Sequence, residues 1–365
     1  MKHTSFSFLA VAILLSSCAS TGQVLDNYEE DVPIITLPAS KAGIQDYRAD
    51  YRKAFCDIQA SHGDVFLDST PCETALHRLQ EDSILRLDHT KEQNPSFRQS
   101  VHVVVIQGVL GECAGDLVPP LQYARRHLET HGYTASVAEV SGRSGPLFNA
   151  EMIYAHVNSN EVDPSKKLVF IGYSKGAVDT LQAMVSYPDL AENTHAVVSL
   201  AGPISGSPVA DKNSSLYEKF GKKLKLKNCA PGDGQGIQSL RTDTRTRWLQ
   251  DNQLPESVDY YSLVAFSSKR NISRLLRSSY SQLAKEDKRN DSNVIISDAI
   301  IPGGKLLGYA NADHWAVALP FSQNSKFLSS TLVNKNNFPR EAMLEAMLRV
   351  IELSVDQRAE YSTTD

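Results

Sequence analysis

Leu168-Val169-Phe170-Ile171-Gly172-Tyr173-Ser174-Lys175-Gly176-Ala177-Val178 decides how this 365-residue chain folds. The first five residues form an apolar run, as a strand buried on both faces does. The stretch then continues through Thr180, Leu181, Ala183 and Met184, which reads as a helix. A strand that enters a helix across Gly-x-Ser-x-Gly makes a sharp corner. That corner forces Ser174 into a strained backbone conformation and lifts its Oγ above the sheet edge. Side chains at Gly172 and Gly176 would collide with neighbouring elements, so glycine is needed at both. The helix start aims its dipole and free N–H groups at the serine. Ser174 is therefore the expected nucleophile.

Outward from this corner, Val101-His102-Val103-Val104-Val105-Ile106 is another near-continuous apolar run. Residues 135–140, 196–200 and 260–266 read as further strands, and 305–309 as a weaker sixth. Helical patterns separate most of them, including one at about 117–130. This alternation predicts an α/β domain with a mostly parallel sheet of about six core strands flanked by helices. Residues 337–357 close the chain with an amphipathic helix. Its Met343, Leu344, Met347, Leu348, Val350, Ile351 and Leu353 are expected to cover the sheet.

The corner in this context resembles the α/β-hydrolase superfamily, and within it bacterial lipases and esterases, over about residues 100–355. The stretch from Ala201 to Asp211, Ala-Gly-Pro-Ile-Ser-Gly-Ser-Pro-Val-Ala-Asp, is similar to the Gly-x-Pro-x-x-Gly-Ser-x-x-Ala-Asp segment of bacterial lipases. The resemblance implies an α/β-hydrolase fold and a serine hydrolase that cleaves carboxylic esters through a Ser-Asp-His triad and an acyl-enzyme. The substrate it implies is a small-molecule or lipid ester, with no cofactor and no metal. The same triad also serves thioesterases and acyltransferases, and a catalytically dead, membrane-anchored binding module is the reading outside enzymes.

In this fold the histidine follows the last strand and the acid lies between serine and histidine. His314, in Asn311-Ala312-Asp313-His314-Trp315, has that position. His102, His127, His131, His156 and His195 precede it or begin strands, and read as structural or surface histidines. Asn290-Asp291-Ser292-Asn293-Val294 resembles the Asn-Asp-Gly-x-Val stretch that holds the acid in bacterial lipases, with Ser292 in place of the usual glycine. Ile301-Pro302-Gly303 is similar to the Leu-Pro-Gly found downstream there. Asp291 is the favoured acid and Asp298 the alternative; the side chain of Asp313 would diverge from the ring. An oxyanion hole in this fold takes the amide after the nucleophile, Lys175, and one from the loop after the first strand, Val109. Gln107 stands where lipases commonly carry histidine.

The remaining sequence organises around this domain. Residues 1–17 read as a signal segment with Lys2 followed by a short apolar run, too short for a spanning helix. Leu15-Ser16-Ser17-Cys18 resembles the bacterial lipobox, which implies lipid on Cys18. Ala19 after it favours the outer membrane, on the periplasmic face. Residues 18–44 read as a tether, 45–97 as a helical N-terminal addition, 98–357 as the hydrolase domain and 358–365 as a tail. A cap-like insertion is expected at about 211–255. Its Lys219, Lys222, Lys223, Lys225 and Lys227 read as a solvated face, or as contact with anionic headgroups. Trp248, Leu249 and Leu254 fit an acyl pocket or a core equally well.

Export permits disulfides among Cys56, Cys72, Cys113 and Cys229. Cys56–Cys72 is the sequence-local pairing, leaving Cys113–Cys229; four buried thiols is the alternative. The net charge of −5 argues against nucleic-acid binding, which requires a basic excess. The oligomeric state is not legible.

Overall fold

The structure, a computed structural model, describes residues 43–68, 70–78, 95–109, 120–212, 232–321 and 337–362. The first half of the chain supplies β1 (Gln45–Asp46), α1 (Arg48–His62), α2 (Cys72–Ala75), β2 (Leu76–His77), α3 (Pro95–Ser100), β3 (Val101–Ile106), α4 (Gln122–Thr130), β4 (Thr134–Ala138) and α5 (Pro146–Val157). The second half supplies β5 (Lys167–Tyr173), α6 (Lys175–Ser186), α7 (Pro188–Glu192), β6 (Thr194–Leu200), α8 (Thr242–Asp251), β7 (Asp259–Phe266), α9 (Arg277–Leu283), β8 (Lys305–Asn311) and α10 (Arg340–Ser362).

These strands form one eight-stranded sheet in the order β1-β8-β7-β6-β5-β3-β4, with β2 also on β8. β2 runs antiparallel to β8, and the other pairs are parallel. The expected α/β-hydrolase sheet is therefore present. β5, which leads into Ser174, lies between β3 and β6, so the corner opens in the middle of the sheet's C-terminal edge. That edge is where open parallel sheets place ligands.

Alternation along β3 explains its unbroken apolar reading. Val101, Val103 and Val105 enter one core, shared with Tyr51, Phe55 and Ile58 of α1 and with Met343, Met347 and Ile351 of α10. Val104 and Ile106 enter the other, shared with Ile153 of α5 and Leu181 of α6. Side chains of a strand point alternately to its two faces, so a strand covered by helices on both is apolar throughout. α10 covers the sheet as expected, with Met343, Leu344, Met347, Leu348, Val350 and Ile351 all at 0% exposure.

Residues 45–97 do more than add helices. α1 packs on α10 and β8. β1 and β2 both pair with β8, so this segment also extends the sheet edge. Arg340 of α10 reaches back to Asp68 at 2.5 Å in a buried ion pair. Cys56 and Cys72 form a disulfide across a sequence separation of 16. On chain-entropy grounds a loop of that size contributes about 3 kcal/mol.

Cys18, Cys113 and Cys229 lie outside the described residues, as do the signal segment, nearly all of the tether and Lys219 to Lys227. Trp248, Leu249 and Leu254 pack against the core beside α6. Among the described residues no helix is long and apolar enough to cross a membrane.

Candidate active site

Ser174 sits at the corner with φ 54° and ψ −126°. Residues other than glycine rarely adopt a positive φ, and surrounding structure must hold them there. The Ser174 amide donates to the Leu200 carbonyl of β6 at 2.9 Å, which fixes the corner to the neighbouring strand. The two glycines are there for close approach. A Cβ on Gly172 would lie 2.5 Å from Ala177 Cα, and one on Gly176 would run into the carbonyl oxygens of Ile106 and Gln107.

The structure brings His314 and Asp291 to this serine. His314 Nε2 lies 2.8 Å from Ser174 Oγ, and His314 Nδ1 lies 2.7 Å from Asp291 Oδ2. All three are buried, at 8%, 3% and 1% exposure. Because the carboxylate accepts from Nδ1–H, Nε2 presents its lone pair to the serine hydroxyl. Asp291 is itself clamped. Its Oδ1 accepts from the amides of Asn293 and Val294 at 2.8 and 2.7 Å. Its main-chain carbonyl accepts from the His314 amide at 2.8 Å. The acid loop and the base loop are thus joined twice.

Asp298 is not brought to the ring. Its carboxylate meets the Ser297 hydroxyl at 3.4 Å, and burial raises its pKa. Asp313 turns away from the ring and organises the base loop. Its Oδ1 accepts from the Trp315 and Ala316 amides, and its Oδ2 from the Ser273 amide at 2.7 Å.

The loop after β3 passes directly against the serine. A Cβ on Gly108 would stand 2.9 Å from Ser174 Cβ. Val109, next along, packs against Val178, Ala210 and Leu240. Lys175 opens α6, so its amide belongs to the free N-terminal turn of that helix.

One set of supporting residues was not anticipated. The Lys175 ammonium is fully buried and donates to both oxygens of Asp179, at 2.6 and 2.7 Å. Asn149 donates to Asp179 Oδ2 at 2.7 Å and to the Ser141 carbonyl at 2.9 Å. Burial pushes the Asp179 carboxyl up and the Lys175 charge pulls it back. The four-residue spacing of Lys175 and Asp179 on one helix was the available signal; Asn149 comes from another element and left none.

The architecture is that of the α/β-hydrolases, and solved structures with the same arrangement are lipases and esterases. The crystal structure of the metagenomic carboxyl esterase MGS0156 matches at 40% identity and a TM-score of 0.79, covering 88% of this chain and 97% of that one. The Staphylococcus hyicus lipase matches at 14% identity and 0.51, covering 72% and 99%. The propeptide form of the Bacillus licheniformis lipase BlEst2 matches at 19% and 0.50, covering 62% and 48%. The two lipases share the fold alone. No family model and no curated relative matches. On the 40% likeness across nearly the whole of MGS0156, the chain belongs to the family of that carboxyl esterase. It is a carboxylic ester hydrolase.

Proposed function

We propose that Ser174 is the nucleophile of a two-step ester hydrolysis, with His314 as general base and Asp291 orienting it. One observation carries this reading: the unbroken hydrogen-bonded path from Ser174 Oγ through His314 to Asp291, at 2.8 and 2.7 Å. As Oγ bonds to the ester carbonyl carbon, its proton passes to Nε2 and the carbonyl π pair moves onto oxygen. The imidazolium is stabilised by Asp291. Collapse of the adduct breaks the bond to the alcohol oxygen, which leaves with the proton from Nε2. Water then gives a proton to Nε2 and attacks the acyl carbon, and Ser174 departs and recovers its proton.

In this reading the Lys175 and Val109 amides receive the developing oxyanion. The start of α6 at Ser174 and the close pass of Gly108 support it. A donor of this kind is typically worth ~10²–10³ in rate. No observation favours a thioester or acyl-transfer reaction over hydrolysis of an oxygen ester.

A fluorophosphonate probe tests the assignment. The parent is expected to be labelled and to hydrolyse p-nitrophenyl esters, and Ser174→Ala to do neither. Ester hydrolysis surviving in Ser174→Ala overturns it. A series of acyl chains then defines the substrate.

The site of action is proposed from residues 1–19 alone. Cleavage before Cys18 and lipid attachment to its sulfur would place the enzyme on the outer membrane, facing the periplasm. Radiolabelled palmitate is expected to enter the parent and not Cys18→Ala, and the parent to fractionate with outer membranes.

A further inference from the structure

The helical layer of α1, α4 and α10 holds a second cluster that shares no residue with the path from Ser174 to Asp291. His127 in the last turn of α4, His131 just beyond it and Glu345 of α10 each turn one ligand-capable atom toward the others, all within 4.8 Å. We propose that these residues bind a divalent transition-metal cation, with zinc the best chemical match, and that the ion ties α4 to α10.

Residues four apart share one face of a helix, the spacing by which two histidines reach one metal. Glu345 Oε2 lies 2.7 Å from His127 Nε2, while its Oε1 accepts from Arg349 at 2.7 Å. The carboxylate is therefore held in place with one oxygen facing the histidines. His131 is oriented the same way from its far side. Its Nδ1 lies 2.8 Å from the His127 main-chain carbonyl and 3.2 Å from Thr130 Oγ1. A carbonyl only accepts, so Nδ1 carries the proton and Nε2 keeps its lone pair. Metal-binding histidines are commonly fixed through this kind of hydrogen bond.

His62, at the end of α1, stands beside the cluster but is not among the three residues whose ligand atoms converge. Its ring stands edge-on to that of His131 with centroids 5.9 Å apart. Its Nδ1 is buried and has no hydrogen-bond partner among the described residues. The ring of Phe66 closes one side, edge-on to His127 at 5.1 Å. Two imidazoles and a carboxylate suit zinc with a fourth position left to water, whereas calcium and magnesium require oxygen ligands. Zinc bonds of about 2.0–2.2 Å at tetrahedral angles set ligand atoms roughly 3.3–3.6 Å apart, so an ion would open the 2.7 Å contact between His127 and Glu345 and displace the proton held there.

The full chain, without a histidine tag, is stripped with chelator and titrated with zinc against a competing zinc dye, with bound metal counted by elemental analysis. The parent is expected to take up one zinc per chain and to melt at higher temperature with zinc, while calcium and magnesium leave the melting point unchanged. His131→Gln and Glu345→Gln are each expected to weaken binding by about 30-fold or more. Both should keep the metal-free esterase rate and circular dichroism of the parent, which separates loss of the site from loss of the fold. Less than stoichiometric uptake by the parent, or parent-like affinity in both variants, overturns the proposal and leaves a cluster joined by hydrogen bonds alone.

Discussion

The phenol of Tyr173 donates to the main-chain carbonyl of His314 at 2.7 Å, so the residue before the proposed nucleophile holds the loop that carries the proposed base. The two rings lie 5.4 Å apart. Burial, with the nearby charges of Asp291 and Asp313, pushes the phenol's pKa well up, so it stays a donor into strongly alkaline solution. Removing it frees the base loop without touching any reacting atom. Tyr173→Phe is expected to lower kcat about 5- to 20-fold, with KM within about twofold, because misplacement of a positioned group costs rate. Denaturant titration should show a loss of about 1–2 kcal/mol, the cost of an unpaired buried carbonyl. An unchanged kcat would show that the loop needs no such tether.

The carboxylates of Asp291 and Asp298 make opposite demands on mutation. Asp291 accepts from the imidazole and from two amides, so Asp291→Asn presents a donor where the ring needs an acceptor. A drop in kcat on the order of 10³–10⁴ is expected, as the ring loses its productive tautomer. Among the described residues Asp298 meets only a serine hydroxyl, at 3.4 Å, and Asp298→Asn should stay within about threefold of the parent. Steady-state kinetics on one chromogenic ester decides between them, and the reverse ranking would move the acid to Asp298.

The sequence disclosed what is encoded locally. Val103 to Ile106 and Leu168 to Ile171 are strands whose two buried faces leave a continuous apolar run. The glycines around Ser174 mark a corner that tolerates no Cβ. β1 and β2 went unread because two residues carry no periodicity. The choice between Asp291 and Asp298 stayed open because chain separation does not reveal how a loop folds back. Here Asp291 captures the amides of its own loop and so aims its second oxygen at His314. Asn149, which steadies Asp179 from α5, was invisible for the same reason: the contact spans 30 residues.

Ser292 follows Asp291 with φ 90°, the one place where the acid loop departs from the glycine expected by resemblance. Its Oγ is buried without a hydrogen-bond partner among the described residues. Both features cost stability, since a side chain is disfavoured at positive φ and a buried hydroxyl prefers a partner. Ser292→Gly removes both, against an entropy cost of about 0.5–1 kcal/mol for the freer unfolded chain. The variant is expected to be more stable by about 0.5–1 kcal/mol in urea, with kcat within about twofold. A less stable variant would mean that the hydroxyl supports the loop.

Ser136 Oγ stands 2.8 Å from both His102 Nε2 and His156 Nε2, a buried relay at the β3–β4 edge, away from the path through Ser174. Burial, then the neighbouring charges of His156 and Lys166, lowers the His102 pKa from 6.5 to about 4. Burial lowers that of His156 as well. The folded chain therefore resists a proton that the unfolded chain takes up below pH 6.5. Stability is full above that pH and falls as acidification carries the protein through the window down to about pH 4. His102 accounts for at most about 3 kcal/mol of the loss. Urea midpoints of the parent should decline across this window. His102→Gln, which keeps a donor for Ser136, should start lower at pH 7.5 and decline less. Parallel acid limbs in the two proteins would place the proton uptake elsewhere in the fold.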